Sequence, residues 1–267
     1  MSTPRTPPPG GRRTVAPALA AAALAVTAGH IGPAVTWIPS VRAALGPALH
    51  GRGDSRRVAL TFDDGPDPGS TPDFLRALDR LDVRATFFVL GSRLADQPDL
   101  GHRMAAEGHE LAVHGWRHER GWAPRPLRDA RDLERAAEVV HGVAGTYPVW
   151  YRPAYGVLTG GRWAAARRAG LHPVLWSAWG RDWTASATPG SVLAEVTSTL
   201  RGGATVLLHD TDAYSAAGSW RVTLAALPLV VEACRSRGLT VGRLADHGIG
   251  EPTPVVGGPA RAGHRGR

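Results

Sequence analysis

Val58 to Phe74 reads "VALTFDDGPDPGSTPDF". The apolar run Val58–Phe62 has the length and composition of a buried strand. Two carboxylates, Asp63 and Asp64, end it. Gly65-Pro66 then stops the strand, and the turn formers of "DPGST" lead into an amphipathic stretch, Pro72–Leu81. A turn explains Gly65, Pro66 and Gly69. It does not explain two adjacent acids, whose like charges repel and whose burial is costly.

The same rhythm continues outward. Apolar runs at Ala85–Leu90, Glu110–His114, Val149–Arg152, Pro173–Ser177, Thr205–His209 and Leu239–Val241 read as strands. Amphipathic stretches at Pro98–Ala106, Leu127–Val140, Gly161–Ala169, Ser191–Leu200 and Thr223–Arg237 read as helices. The alternation predicts βα units around a parallel sheet. His114 ends the third strand, Arg152 the fourth and His209 the sixth, and Asp182 lies just beyond the fifth. Reactive side chains at the C-terminal ends of successive parallel strands are the pattern of a barrel active site.

His114 and His118, in "HGWRH", are four residues apart. On one helical turn both imidazoles would face a single divalent metal. The spacing alone is weak, and Arg117 and His118 also suit a solvated face. A carboxylate at a neighbouring strand end strengthens the metal reading. One of the two acids can ligate while the other stays free near a bound water, and two His with one Asp leave positions open, as catalytic sites do. Trp176 reads as core, whereas Trp179 and Trp183 fit either core or a sugar-stacking wall. Asp182 and Asp210 both compete as the partner of His209. His109 and His172 read as structural.

"TFDDGP", "HGWRH", "RPAYG", "GRDW" and "LLH" occur in this order, with "ATFFVLG" and "GHELAVHG" between the first two. Together they resemble the polysaccharide deacetylase family, the NodB homology domain, over about Arg57 to Val241. The resemblance implies an α/β fold, a distorted (β/α) barrel of about seven strands. It implies Asp63 as catalytic base and Asp64, His114 and His118 as metal ligands. Arg152 would tune the base, the Tyr155 N–H would hold an oxyanion, Asp182 would tune His209, and His209 would be the general acid. Leu207 would line the acetyl pocket, with Tyr155, Trp179 and Trp183 also on the substrate side. The metal would be Zn2+ by default, with Co2+, Ni2+ or Mn2+ as substitutes. Three positions depart from the usual pattern: Gly115 for Ser or Thr, Ala154 for the second Pro, and Trp179 for an earlier Asp.

The implied function is removal of N-acetyl groups from a glycan, cell-wall peptidoglycan or chitooligosaccharide. A lipid-linked sugar, an O-acetyl ester or a small amide would suit the same site, and a non-catalytic carbohydrate-binding barrel is the reading from another class. The 267-residue chain has a formal charge of +8 carried by arginine. That charge suits anionic surfaces, but no basic run interleaves with aromatics, so nucleic acid is not an expected partner. Cys234, the one cysteine, can form no internal disulfide and reads as core. Residues 1–13 are basic and Pro-rich. Residues 14–41 carry no Asp, Glu, Lys or Arg and read as a signal peptide or membrane anchor, the only expected membrane contact. Residues 42–56 read as a linker, 57–245 as the catalytic domain and 246–267 as a disordered tail. The expected location is extracytoplasmic.

Overall fold

A computed structural model describes residues 15–46 and 48–249. The expected basic N-terminus, and residues 250–267 of the expected tail, lie outside the described residues.

Eight strands form one parallel sheet: β1 Arg57–Asp63, β2 Thr86–Leu90, β3 Glu110–Gly115, β4 Trp150–Tyr151, β5 His172–Pro173, β6 Ala178–Trp179, β7 Thr205–His209 and β8 Thr240–Gly242. Seven follow the path β5-β4-β3-β2-β1-β7-β6, and β8 pairs with the start of β1. Helices α1 Val15–Ile31, α2 Pro39–Leu45, α3 Thr71–Arg80, α4 Gly91–Asp96, α5 Pro98–Ala106, α6 Pro126–Ala144, α7 Gly160–Arg168, α8 Pro189–Thr199 and α9 Ser219–Arg235 complete the fold. Strands covered on both faces need no polar alternation, and β1 is buried from Val58 through Asp63. Phe62 packs edge-on to Phe74 of α3 at 5.3 Å and stacks on Phe87 of β2 at 5.1 Å.

The single strand expected over Pro173–Ser177 is not observed. Its start belongs to β5, which pairs with β4. The pairing with β7 begins beyond its end, at β6. These are the two outer strands of the path, yet only four residues separate them. A flat sheet would hold its outer strands about 29 Å apart, whereas five Cα steps span at most about 18 Å. The sheet therefore curls until its edges nearly meet. Val174 and Ser177 bridge the gap with backbone bonds to Tyr151 and Thr205. Periodicity reports an apolar run and cannot report that it changes partner midway.

Helix α8 depends on local capping. The Thr188 hydroxyl accepts from Ser191 N–H at 3.1 Å, and the Ser191 hydroxyl accepts from Thr188 N–H at 2.9 Å. Thr188→Ala therefore costs about 1 kcal/mol, read as a lower urea midpoint at unchanged m-value. The expected apolar leader forms α1, a 3-10 turn over Gly32–Trp37, and the start of α2. Pro17–Trp37 is long and apolar enough to cross a membrane.

Candidate active site

Strand register gathers the site. Asp63 at the end of β1 lies opposite His209 at the end of β7. Val89 of β2 pairs with Val113, but Leu90 pairs with Gly115, so the register skips His114. A bulge of this kind re-aims a side chain beside a site. Val113 pairs with Tyr151 of β4, which puts Arg152 at the same level.

Asp63 and Asp64 reach one site because the chain turns between them. Asp63 still has strand geometry, whereas Asp64 has φ +82°. Aspartate is among the few non-glycine residues that visit this region, at a cost of about 1 kcal/mol or more. The helical turn considered for His114 and His118 does not exist. His114 lies in β3, and His118 follows an irregular turn. Gly115, at φ +120°, makes that turn available, so the absence of a Ser or Thr side chain has a conformational reason.

Asp64 Oδ1 lies 3.2 Å from His114 Nε2 and 3.3 Å from His118 Nε2, and the three potential ligand atoms lie within 4.8 Å of one another. The oxygen is buried, with no hydrogen bond of good geometry. One carboxylate oxygen and two imidazole nitrogens converging in a buried position are a donor set that a divalent cation satisfies. Burial opposes the Asp64 charge, but His114 beside it outweighs burial and holds the carboxyl well below its usual range. Burial, with His114 nearby, lowers His118 to about 4. Its imidazole is then neutral at physiological pH, the form that binds metal.

Asp63 is held differently. Arg152 Nη1 donates to its Oδ1 at 2.7 Å and to Thr61 Oγ1 at 2.8 Å. Arg152 is fully buried, and its remaining donors reach the carbonyls of Val174 and Leu175. The second Asp63 oxygen lies 3.8 Å from His114 Nδ1, too far for a hydrogen bond. Across the cleft, His209 Nδ1 donates to Asp182 Oδ1 at 2.9 Å. Asp182 Oδ2 accepts from the His209 N–H at 2.7 Å and from Thr223 Oγ1 at 2.8 Å. Burial works against the imidazolium, yet Asp182 raises His209 to about 10. Asp210, the alternative partner, instead accepts from Thr71.

Asp63, Asp64, His114, His118 and His209 open on one cleft of about 740 Å³. Leu207, Tyr155, Trp179 and Trp183 line it, and so does Trp176, although its side chain is largely buried. Trp176, Trp179 and Trp183 form a chain of ring contacts ending 5.7 Å from His209. Tyr155 is half-exposed, with φ +59°, and its ring lies 4.3 Å from that of His118. His109 accepts from Ala85 N–H inside the protein, and Cys234 is buried, its thiol pushed up to about 11 by burial.

Sequence reasoning missed Thr61, Thr223 and Tyr214. The first two are buried hydroxyls whose roles depend on partners 91 and 41 residues away. Tyr214 stacks on His118 at 4.2 Å and is brought there by the loop after β7. Nothing in that loop's own sequence, "DTDAYSAAGSW" from Asp210 to Trp220, shows the contact.

A chitooligosaccharide deacetylase of Rhizobium leguminosarum bv. trifolii is 36% identical over 199 residues, 72% of this chain and 91% of that protein. Among solved structures, the Bc1960 peptidoglycan N-acetylglucosamine deacetylase aligns at TM-score 0.68 and 27% identity, covering 75% of this chain and 92% of that one. A family 4 acetyl xylan esterase from Clostridium thermocellum, in complex with a cobalt ion, aligns at TM-score 0.64 and 30% identity, covering 70% and 88%. The profile described as polysaccharide deacetylase matches residues 50–174. This matched span holds Asp63, Asp64, His114, His118 and Arg152, and with the near full-length Rhizobium relative it establishes that the chain belongs to the polysaccharide deacetylase family.

Proposed function

We propose that the chain is a metal-dependent hydrolase that removes N-acetyl groups from amino sugars of chitooligosaccharide or peptidoglycan type. The observation carrying this reading is the convergence of three units on one cleft: Asp64 with His114 and His118, Asp63 with Arg152, and His209 with Asp182.

A divalent ion held by Asp64, His114 and His118 supplies Lewis acidity to an amide carbonyl and lowers the pKa of a bound water. Asp63 takes the proton of the attacking water, and Arg152, bonded to its other face at Oδ1, keeps that carboxylate aimed. The Tyr155 N–H is the proposed donor to the developing oxyanion, a role worth about 3 kcal/mol for one such donor. His209 protonates the leaving nitrogen, which cannot depart as an anion. Leu207 borders the acetyl methyl, and Trp179 and Trp183 offer aromatic faces to the sugar. An apolar N-terminal segment long enough to cross a membrane supports an extracytoplasmic location, where such glycans occur.

The test is acetate release from defined chitooligosaccharides and muropeptides. Dialysis against a chelator is expected to abolish release, with restoration by Zn2+, Co2+, Ni2+ or Mn2+. Release that persists in metal-free protein would overturn metal dependence. Binding without release, in metal-loaded protein, would favour the carbohydrate-binding alternative.

A further inference from the structure

The apolar N-terminal segment does not end at the edge of the barrel. His30 is buried, and its Nε2 donates to the Gly121 carbonyl at 3.0 Å. A Cβ on Gly160, at the start of α7, would fall 2.2 Å from the carbonyl oxygen of Gly29, so the end of α1 packs backbone to backbone against the barrel. Beyond it, Ala34, Val35, Trp37 and Ile38 line the same cleft as Asp63, Asp64 and His209.

Arg42 holds this segment. It is 2% exposed and forms no carboxylate ion pair among the described residues. A buried guanidinium without a counter-charge is costly unless its donors are satisfied. Nη1 donates to the carbonyls of Thr36 and Trp37, Nη2 to the carbonyl of Trp176 at 2.7 Å, and Nε to His50 Nδ1 at 3.2 Å. Its guanidinium also lies 5.4 Å from the Trp176 ring. Trp176 belongs to the stretch that closes the barrel. Arg152 holds the same stretch from its other end, through the carbonyls of Val174 and Leu175, and binds Asp63. One closing stretch thus links the N-terminal segment to the acid beside the metal ligands.

We infer that residues 32–45 are a working wall of the catalytic cleft, with Arg42 as the positioning residue that pins it. Trp37, 52% exposed at the cleft, is the side chain this wall presents to a glycan. The inference rests on the deacetylase reading and adds a specificity element to the same site.

The experiment uses the full chain in detergent. Trp37→Ala is expected to raise KM for a four-sugar chitooligosaccharide about 3- to 10-fold, with kcat within about twofold and hydrolysis of a small aryl acetate unchanged. Arg42→Ala is expected to raise the same KM about tenfold and to speed limited proteolysis between residues 32 and 50, and Arg42→Lys to recover part of both. Since Arg42→Ala risks misfolding, exposed Trp37 carries the test in that case. An unchanged KM in Trp37→Ala overturns the inference. So does a mature N-terminus beyond Gly32, read by mass spectrometry of protein taken from cells. If the metal-loaded wild type releases no acetate from any glycan, the deacetylase reading fails instead. Protease protection of residues 32–50 and the mature N-terminus then still judge the wall.

Discussion

Asp63→Asn should leave the metal in place and lower kcat about 10³-fold, whereas His114→Ala should strip the metal. The two acids sit side by side in sequence but in different bonding environments. Asp64 Oδ1 faces two imidazoles and no hydrogen-bond donor of good geometry, so it is available to an ion. Asp63 is occupied by Arg152 at 2.7 Å and is not one of the three converging ligands. Asparagine preserves the shape of Asp63 and one acceptor for Arg152 but cannot take a proton from water. General-base catalysis contributes roughly 10²- to 10⁴-fold, and 10³ corresponds to about 4 kcal/mol of barrier. Metal content by elemental analysis should stay near that of the wild type in Asp63→Asn. It should fall sharply in His114→Ala, which removes one of the three proposed ligands. A circular-dichroism melt guards against a trivial result, because the fully buried Arg152 loses its counter-charge. A kcat within tenfold of wild type would remove the base from Asp63. Loss of metal in Asp63→Asn would make it a ligand.

The acids and histidines that meet at the cleft could be picked out from local sequence, although the helical turn that suggested pairing His114 with His118 is not the geometry that joins them. "TFDDGP" ends a strand, and a second acid before a turn has no structural use. His209 was placed by the apolar run before it. What was not legible depends on how separate segments meet. The stretch Pro173–Ser177 reads as one strand, yet the chain changes pairing partner there, and only the closure of the sheet shows why. The choice between Asp182 and Asp210 as partner of His209 was open for the same reason. Asp210 is adjacent in sequence, but its carboxylate faces Thr71, while Asp182, 27 residues away, accepts from both the ring and the backbone of His209. The left-handed backbone at Asp64 carries no sequence mark, since aspartate serves equally in strands' ends and turns. Arg42 is the clearest case. As the first charged residue after a long uncharged run it reads as a linker boundary, and only the fold gives its four donated hydrogen bonds.

Asp182→Asn should produce a loss of activity that grows with pH. In the folded protein Asp182 raises His209 to about 10 against the opposing effect of burial. With the carboxylate gone, burial is opposed only by the smaller contributions of the Asp64 and Asp63 charges, and the imidazole is expected to fall back toward its usual value of about 6.5. The protonated fraction at pH 8 then falls from nearly all to about 0.03, a loss of about 30-fold. At pH 9 the loss reaches about 300-fold, and near pH 5 it almost vanishes. The basic limb of kcat against pH therefore moves down by three units or more, a signature that simple misfolding would not give. Stability carries the same sign. A folded pKa above the unfolded one stabilises fully below about pH 6.5, and that contribution is lost as pH rises through about 10. The stability difference between wild type and Asp182→Asn should therefore narrow in alkaline buffer, where His209 is neutral in both. A basic limb that stays in place in Asp182→Asn would show that His209 does not deliver the proton to the leaving nitrogen, and the acid would have to be sought elsewhere in the cleft.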